Sequence, residues 1–283
     1  MPRSWDHDVL RAAWHAEETR AFTGWDFSYL EGRVDTDPLP WDYRAIAVEH
    51  LKPSDRLLDM GTGGGEFLLA LGHRRELTTV TEAWPPNVDL CRQRLAPLGI
   101  TVAQTFDDDR LPFPDASFDV VLNRHASFDA AEVFRVLAPG GVFVTQQVGG
   151  RNNADLAGRL IDNRMLSPQS RDLAGSHRVL LDAGFAIRVE GEAFPVSRYM
   201  DVGAVVYQTR VIKWEFPGFS VDACFDKLLD LHDQLATGQP ITATEHRFML
   251  VAAKPAPQGS SAFVAGSVGT RSSGVASASD QSV

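Results

Sequence analysis

Cysteine is scarce in this sequence. Of its 283 residues only Cys91 and Cys224 are cysteines, they lie far apart, and each falls in a stretch with a helical pattern. The chain has neither a CxxC spacing nor the paired cysteines of a small secreted framework. We therefore expect the two thiols to be buried or half-buried side chains of a protein from a reducing compartment.

Long apolar runs are also absent. No stretch approaches the roughly 18 apolar residues that a membrane span needs. The first residues, Met1-Pro-Arg-Ser-Trp-Asp-His-Asp8, contain no apolar segment of the kind found in signal peptides. These absences predict a cytoplasmic protein without a membrane partner, and we expect a monomer or a homodimer.

Basic residues are outnumbered and are not clustered. The chain has 27 Lys and Arg against 37 Asp and Glu, a net charge of −10. Non-specific affinity for nucleic acid comes from neutralising phosphates with Lys and Arg, so this balance disfavours a nucleic-acid partner, although a local basic patch can lie on an acidic protein. The histidines show no HxxxH or HxH spacing, so no metal site is predicted.

Short apolar runs alternate with helical patterns from Lys52 to about Pro255. This alternation is typical of a sheet whose parallel strands are joined by helices. Helices are expected to begin near residues 66, 86 and 130, with further helical stretches at 152–163 and 171–183, and the segment Leu137-Ala-Pro-Gly-Gly141 is interpreted as a turn. Seven strands are predicted, at 56–59, 78–82, 101–104, 119–123, 142–148, 186–190 and 246–253.

Three segments lie outside the alternation. Residues 1–50 are rich in aromatic residues, with helical spacing around 9–19, and predict a helical cover over one rim of the sheet. Residues 194–239, which include an amphipathic stretch at 224–235, predict a lid inserted before the last strand. Residues 256–283 are mostly Ser, Gly, Ala and Val with almost no charge, a composition that predicts a disordered tail. The core domain is then expected at 51–255.

A glycine-rich segment, Asp59-Met-Gly61-Thr62-Gly63-Gly-Gly65, follows the first predicted strand and precedes a helix. In open α/β sheets ligands bind at the carboxyl ends of the strands, and glycines let the backbone approach them closely. The spacing is GxGxG, and Glu66 stands where a GxGxxG dinucleotide fingerprint has its third glycine. Since a pyrophosphate prefers a positive helix start, Glu66 disfavours a dinucleotide and is tolerable beside a sulfonium.

Acidic residues follow the next two predicted strands. Glu82 ends the second strand 17 residues past Gly65, near the roughly 20-residue offset at which an acid holds ribose hydroxyls in such sheets. After the third strand, Asp107 or Asp108 is predicted to accept the adenine amino group. The alternatives are a solvated acid at a strand end for Glu82 and a solvated loop for the aspartates.

Together these segments resemble the class I, Rossmann-like, S-adenosylmethionine (SAM)-dependent methyltransferases, and among them the type-11-like branch that acts on small molecules. The resemblance covers about residues 50–150. It rests on the glycine loop, on Glu82, and on the segments Leu111-Pro-Phe-Pro-Asp-Ala-Ser-Phe-Asp119 and Arg135-Val-Leu-Ala-Pro-Gly-Gly141.

The resemblance implies an α/β fold with a Rossmann-like seven-stranded sheet, the last strand antiparallel and helices on both faces. It implies SAM as cofactor and S-adenosylhomocysteine as product. The residues expected to bind the cofactor are Asp59, Gly61, Thr62, Gly63, Gly65, Glu82, Ala83, Asp107, Asp108 and Asn123.

The fourth predicted strand ends in Asn123-Arg124-His125, where in this fold the acceptor reaches the methyl group. His125 is predicted to be a catalytic base because the pKa of histidine suits neutral pH; the alternative is a loop residue bonded to the backbone. Arg124 either binds an acidic acceptor or pairs with Asp129.

Three further residues are predicted to bind the acceptor. Gln146 lies in a polar stretch at the end of the fifth strand, 146–153, whose asparagines have capping of the next helix as an alternative role. Tyr207 and Trp214 lie in the insertion, and packing of the lid against the core is the alternative for both.

The predicted reaction is transfer of a methyl group to an oxygen, nitrogen or carbon of a small molecule, with secondary metabolism as one setting. The alternatives are an RNA or protein methyltransferase, a SAM-binding regulatory protein without catalysis, and a nicotinamide oxidoreductase. Asn123 is not followed by the Pro-Pro-aromatic sequence of amino-methylating nucleic-acid enzymes, and neither cysteine follows the fourth or fifth strand. Both absences disfavour a nucleic-acid substrate.

Overall fold

The structure is a computed structural model that describes residues 6–22, 25–106, 110–161 and 172–256. Asp107 and Asp108, and the predicted tail from residue 257 onwards, lie outside these ranges. The strands are β1 (Val34–Thr36), β2 (Leu57–Met60), β3 (Thr78–Glu82), β4 (Thr101–Gln104), β5 (Phe118–Arg124), β6 (Leu137–Val148), β7 (Ala186–Ala193), β8 (Val196–Tyr199), β9 (Ile241–Thr244) and β10 (Arg247–Ala253).

The main sheet has seven strands in the order β4-β3-β2-β5-β6-β10-β7. The first five of these pair in parallel, and β10 runs antiparallel to both of its neighbours, β6 and β7. The prediction of a Rossmann-like sheet with an antiparallel last strand is therefore confirmed. Because the parallel strands run side by side, the carboxyl ends of β2, β3 and β5 meet at one edge, where ligands bind in such sheets.

Helices cover both faces of the main sheet, as predicted. They are α1 (His7–Glu18), α2 (Tyr43–Glu49), α3 (Glu66–Leu71), α4 (Pro85–Arg94), α5 (Ala130–Val136), α6 (Ala154–Leu160), α7 (Leu173–Asp182), α8 (Val202–Val211) and α9 (Phe225–Ala236). Leu57 packs with residues of α2, α3 and α4, whereas Leu58 packs with residues of α5 and α7 on the opposite face. Burial on both faces explains why the neighbouring residues Leu57 and Leu58, which point to opposite faces of the sheet, are both apolar.

The segment 137–141, interpreted from the sequence as a turn, is instead the first part of β6. Its backbone pairs with the end of the chain's last core strand, since Gly140 N donates to Lys254 O and Lys254 N donates to Gly141 O, both at 2.9 Å. The turn interpretation is wrong because Pro139 and the two glycines lie in a bulge of β6, between Leu137, which pairs with Phe118, and Val142, which pairs with Val120. A bulge tolerates the missing N–H of proline.

A second sheet has three short antiparallel strands in the order β1-β8-β9, which the sequence analysis did not predict. Val34 pairs with Tyr199, and Tyr199 with Ile241. Strands of three or four residues carry too little periodicity to be recognised locally. This sheet joins the N-terminal segment to the insertion before β10.

The N-terminal segment divides between two surfaces. In α2, Tyr43 and Ala47 are buried against the main sheet. In α1, Trp14 is buried in a different cluster with Tyr207 of α8 and Phe225 of α9. The first helix thus packs on the insertion, and only the second covers the sheet. Across the residues described, no helix is both long and apolar enough to cross a membrane.

Candidate functional site

The glycine loop after β2 is built for close approach. Gly61, Gly63 and Gly65 have φ values of +66°, +63° and +81°, a region that glycine adopts without steric cost. A Cβ on Gly61 would stand 2.5 Å from the Cβ of Ala126, and one on Gly65 would stand 2.8 Å from the Leu95 side chain. The loop is therefore pressed between the segment after β5 and the end of α4.

Glu82 ties two loops at this edge of the sheet together. One carboxylate oxygen accepts from the backbone N–H of Gly63 at 2.9 Å, and the other accepts from those of Ala83 at 2.9 Å and Trp84 at 3.3 Å. The side chain is buried. Its contacts shape the glycine loop, and the ribose role expected from its offset stays a prediction.

Asp59, at the end of β2, is a buried carboxylate. Burial raises the pKa of Asp59 to about 6; the Arg124 guanidinium acts against this rise, and the Glu82 carboxylate adds to it. A buried acid whose pKa stays raised is one whose negative charge is incompletely compensated. A cationic group placed beside it would remove this penalty.

Two more polar groups near Asp59 have unmet hydrogen-bonding capacity. The hydroxyl oxygen of Thr62 and the amide nitrogen of Asn123 are buried and have no hydrogen-bond partner among the residues described. Buried polar atoms are normally paired, so such exceptions point to a missing partner. One carboxylate and two neutral polar groups fit the ammonium and carboxylate of the amino-acid end of SAM, the cofactor that the resemblance implies.

His125 follows β5 with a φ of +70°, and its backbone N–H donates to Gln146 O at 2.8 Å. The residue as a whole is exposed. Desolvation of the imidazole by neighbouring protein atoms, with the positive charges of Arg247 and Arg124, lowers the pKa of His125 to about 3. A pKa lowered in this way disfavours His125 as a base at neutral pH, and its catalytic role stays a prediction.

Gln146 contacts His125 as well as a residue that the sequence analysis did not select. The side-chain nitrogen of Gln146 lies 3.0 Å from Nε2 of His125, and its side-chain oxygen accepts from the indole N–H of Trp41 at 2.8 Å. Gln146 itself is buried. Trp41 was visible in the sequence only as one aromatic residue of the N-terminal segment, with no pattern that placed it at the site.

Tyr43 is a second contribution of the N-terminal segment. Its hydroxyl donates to Val144 O at 3.1 Å and accepts from the backbone N–H of Asn123 at 3.2 Å. The ring is buried, and burial raises the pKa of Tyr43 above its usual range. The first turn of α2 therefore fixes the backbone of β5 and β6 close to the site through these two hydrogen bonds.

Arg124 and Asp129 do not form the pair considered from the sequence. The guanidinium of Arg124 lies 4.5 Å from the ring centre of Phe67, a cation–π distance. Asp129 accepts from the backbone N–H of Glu132 at 2.8 Å and caps α5. Its carboxylate is thus engaged at a helix N-terminus, and binding of an acidic acceptor by Arg124 stays a prediction.

Tyr207 and Trp214 contact the aromatic residues of the N-terminal segment. Tyr207 is 2% exposed, and its ring centre lies 4.9 Å from that of Tyr29. Trp214 is 55% exposed and lies 6.0 Å from Trp25. For Tyr207 this geometry favours the packing alternative, because α8 is buried along most of its length.

The loop after β6 anchors the insertion through a buried carboxylate that the sequence analysis missed. Asn152 and Asn153 both donate to Glu215, at distances of 2.7–3.0 Å. Asn153 stands at the N-cap of α6, but its side chain does not cap the helix. The capping alternative is wrong because Asn153 has a left-handed φ of +53°, and its side-chain oxygen, the atom that would accept from the helix, has no hydrogen-bond partner among the residues described.

Part of this chain is similar to known methyltransferases. Residues 58–145 match the family model described as a methyltransferase domain. The chain is 35% identical over 116 residues to the demethylmenaquinone methyltransferase of Thermus thermophilus, covering 38% of this chain and 53% of the relative. It is 36% identical over 111 residues to the fatty-acid O-methyltransferase of Mycolicibacterium smegmatis, covering 36% of this chain and 40% of the relative. The chain thus spans about half the length of these relatives or less.

Among solved structures, the YcgJ protein of Bacillus subtilis is similar to this chain with a TM-score of 0.54 and 18% identity, over 75% of this chain and 98% of that one. At this level of identity the likeness concerns the fold.

Proposed function

We propose that this chain, which carries a class I, Rossmann-like methyltransferase domain of the type-11 branch, transfers the methyl group of SAM to a small-molecule acceptor. The observation that carries the proposal is a buried carboxylate with a raised pKa, Asp59, beside two buried polar atoms without a hydrogen-bond partner among the residues described, the Thr62 hydroxyl and the Asn123 amide nitrogen, at the carboxyl ends of β2 and β5. They offer one anion and two hydrogen-bonding groups where the methyltransferase domain has its ligand-binding edge.

SAM, when bound, supplies an electrophilic methyl group on a sulfonium. In the proposed role Asp59 holds the ammonium of its amino-acid end, and Thr62 and Asn123 bind the neighbouring polar atoms. Glu82 binds the ribose while keeping a hold on the glycine loop, and Asp107 or Asp108 binds the adenine. Because Gly61, Gly63 and Gly65 have positive φ and no side chain, the backbone of the glycine loop can approach the ligand closely. Ala83, directly after Glu82, contacts the ligand beside this loop in the proposed role.

For the acceptor we propose an organic small molecule, methylated on oxygen, nitrogen or carbon. The support is the kind of acceptor named in two relatives, demethylmenaquinone and a fatty acid. Methyl transfer is an in-line displacement, so holding the acceptor in line supplies much of the acceleration. Arg124, His125 and Gln146 lie together where β5 and β6 end, and we propose that they contact the acceptor there.

Calorimetry with S-adenosylhomocysteine and, separately, NADH tests the proposal. We expect binding of S-adenosylhomocysteine alone. The variant Thr62→Val removes the unpartnered hydroxyl at nearly constant volume and should weaken binding by about fivefold, the effect of a hydrogen bond of roughly 1 kcal/mol. Binding of NADH instead, or of neither ligand, would contradict the proposal.

Thr78→Val is the matched control. The hydroxyl of Thr78 donates to Arg74 O at 2.8 Å at the opposite end of β3, far along the strand from the glycine loop. This variant should lower the free energy of unfolding and leave the affinity for S-adenosylhomocysteine unchanged. Equal losses of affinity in both variants would remove Thr62 from the binding site.

A further inference from the structure

Trp41 and Gln146 form a hydrogen bond whose direction is unambiguous. An indole N–H donates and cannot accept. The Gln146 atom that faces it at 2.8 Å must therefore be the carbonyl oxygen. This contact settles the orientation of an amide whose oxygen and nitrogen are otherwise hard to distinguish.

The orientation of Gln146 determines the state of His125. With its oxygen on Trp41, the amide of Gln146 presents its NH2 group to Nε2 of His125 at 3.0 Å. An amide nitrogen only donates, so Nε2 must carry the lone pair, and the hydrogen of a neutral imidazole then lies on Nδ1. Protonation of Nε2 would set two N–H donors face to face.

Charges around the ring act in the same direction. Arg247, from β10, and Arg124, at the end of β5, are the charged groups that act on His125, and both oppose a positive charge on it. Arg247 pairs with Glu245 at 2.8 Å and Arg124 lies on the Phe67 ring, so both cations are held in place. Among the residues described, Nδ1 of His125 has no recorded partner, which leaves its N–H available.

We propose that Trp41 and Gln146 hold His125 as a neutral hydrogen-bond donor through Nδ1, so that the site takes an acceptor with an anionic oxygen, a carboxylate or phenolate. The inference rests on the proposed methyl transfer and names its acceptor class. In that step a lone pair of the oxyanion forms the new bond to the methyl carbon, the carbon–sulfur pair goes to sulfur, and no proton has to leave.

This assignment gives each residue a distinct part. The N–H of His125 binds and orients the oxyanion, and hydrogen bonds to charged oxygen are the stronger kind. Trp41 and Gln146 are positioning residues, since they act through His125. A protonated amine or an alcohol would find no proton acceptor in this imidazole, because Nε2 is engaged by Gln146 and Nδ1 already carries hydrogen.

Nitrogen NMR of the histidine side chains reads the tautomer directly. We expect the His125 signals of the wild-type protein to show a protonated Nδ1 and an unprotonated Nε2, unchanged between about pH 5 and pH 8 as a neutral donor requires. Loss of the signals in His125→Gln assigns them. Hydrogen on Nε2, or a titration midpoint near neutral pH, would overturn the proposal.

Gln146→Glu reverses the polarity of the contact. A carboxylate accepts from both Trp41 and His125, so the hydrogen should move to Nε2 and the ring should become protonated near neutral pH. Gln93→Glu, the same change at an exposed position of α4, should leave the His125 signals as in the wild type. An unchanged spectrum in Gln146→Glu would refute the role of Gln146.

The acceptor class is tested with benzoate and benzamide, which have the same size and differ in charge. In the presence of S-adenosylhomocysteine, benzoate should bind at least tenfold more tightly and shift the Nδ1 signal. Equal binding of the two probes would overturn the acceptor class. Absence of S-adenosylhomocysteine binding would contradict the proposed function itself, whereas its binding together with the opposite tautomer would contradict only this inference.

Discussion

The ionised carboxylate of Asp59 is expected to favour ligand binding and to lower the stability of the fold. It lies at the buried end of β2, and its raised pKa means that the folded chain holds the ionised form at a cost. A residue that only stabilised the fold would have no reason to be charged there. Binding of a cationic ligand group beside Asp59 is expected to offset this free-energy cost.

Replacing Asp59 with Asn should therefore stabilise the protein and weaken ligand binding. The difference between a pKa of about 6 in the folded protein and the ordinary 3.8 corresponds to roughly 3 kcal/mol at pH 7, as an upper estimate. Urea unfolding measures the free energy of unfolding, and calorimetry measures the affinity for S-adenosylhomocysteine, which should fall by about tenfold or more.

The pH dependence provides the check on this prediction. Between about pH 4 and pH 6 the folded chain keeps a proton on Asp59 that the unfolded chain has lost, so wild-type stability falls as the pH rises through this window. The advantage of Asp59→Asn should be absent near pH 4 and complete above pH 6. A constant difference across this range would assign the effect to something other than ionisation.

Comparison of Gly61 with Gly72 distinguishes the conformational requirement for glycine from the steric one. Their φ values are nearly the same, +66° and +69°. A Cβ on Gly61 would meet Ala126 at 2.5 Å, whereas one on Gly72 would meet nothing within 4 Å. Gly72→Ala thus measures the conformational cost alone, about 1–2 kcal/mol.

Gly61→Ala should cost at least about 2 kcal/mol more than Gly72→Ala and should abolish binding of S-adenosylhomocysteine, because the loop must move away from Ala126. Thermal unfolding and calorimetry on both variants measure these effects. Equal losses of stability, or retained binding in Gly61→Ala, would show that the close contact with Ala126 is not required.

At the scale of elements, α1 belongs to the insertion. Trp14 is 4% exposed, and its ring lies 5.5 Å from that of Phe225 in α9. A second ring of α9, that of His232, lies 6.1 Å from it, and the buried cluster that contains Trp14 includes most of α8, both more than 180 positions along the chain. The N-terminal helix and the insertion are therefore expected to lose their structure together.

Trp14→Ala should lower the free energy of unfolding by about 3–5 kcal/mol, the usual cost of removing a buried aromatic side chain. Hydrogen exchange should then accelerate in α8 and α9 and stay slow in β2 and β5. Val9→Ala, at a 62% exposed position of the same helix, should change stability by less than about 0.5 kcal/mol. Uniform acceleration over the main sheet would contradict the assignment of α1 to the insertion.

At the scale of the whole molecule, the distribution of arginines bears on the acceptor. Arg151 lies on Phe194 and pairs with Glu192 at 3.5 Å, and Arg159 donates to Gln234 of α9 at 2.6 Å. Arg124 faces the site, and Arg164 lies outside the described residues. Arg124, Arg151 and Arg159 have separate partners, and the net charge of −10 opposes binding of a polyanion.

We accordingly expect single-stranded RNA to bind weakly. The dissociation constant for a labelled oligonucleotide should exceed about 0.1 mM at physiological salt, the weak end of non-specific binding. Fluorescence anisotropy measures this, with a titration at low salt to reveal any electrostatic component. Micromolar affinity at physiological salt would favour an RNA acceptor over a small molecule.

Patterns within short stretches of sequence were sufficient for the main sheet. The neighbouring leucines of β2, the glycine loop after it and Glu82 at the end of β3 all reflect local requirements of backbone and burial. Their positions were predicted because an α/β unit repeats the same order of strand, loop and helix. The small sheet was missed because β1 pairs with a strand some 160 residues away and is only three residues long.

The sequence by itself determined the α/β core, its seven strands and the loop where a cofactor is expected, because these depend on neighbouring residues. Only the tertiary structure decided the surroundings of His125, since Trp41 and Gln146 are 105 positions apart and Arg247 lies on another strand. It also decided that Tyr207 packs against Tyr29. The chemical state of a side chain depends on contacts made across the fold, and no local pattern records them.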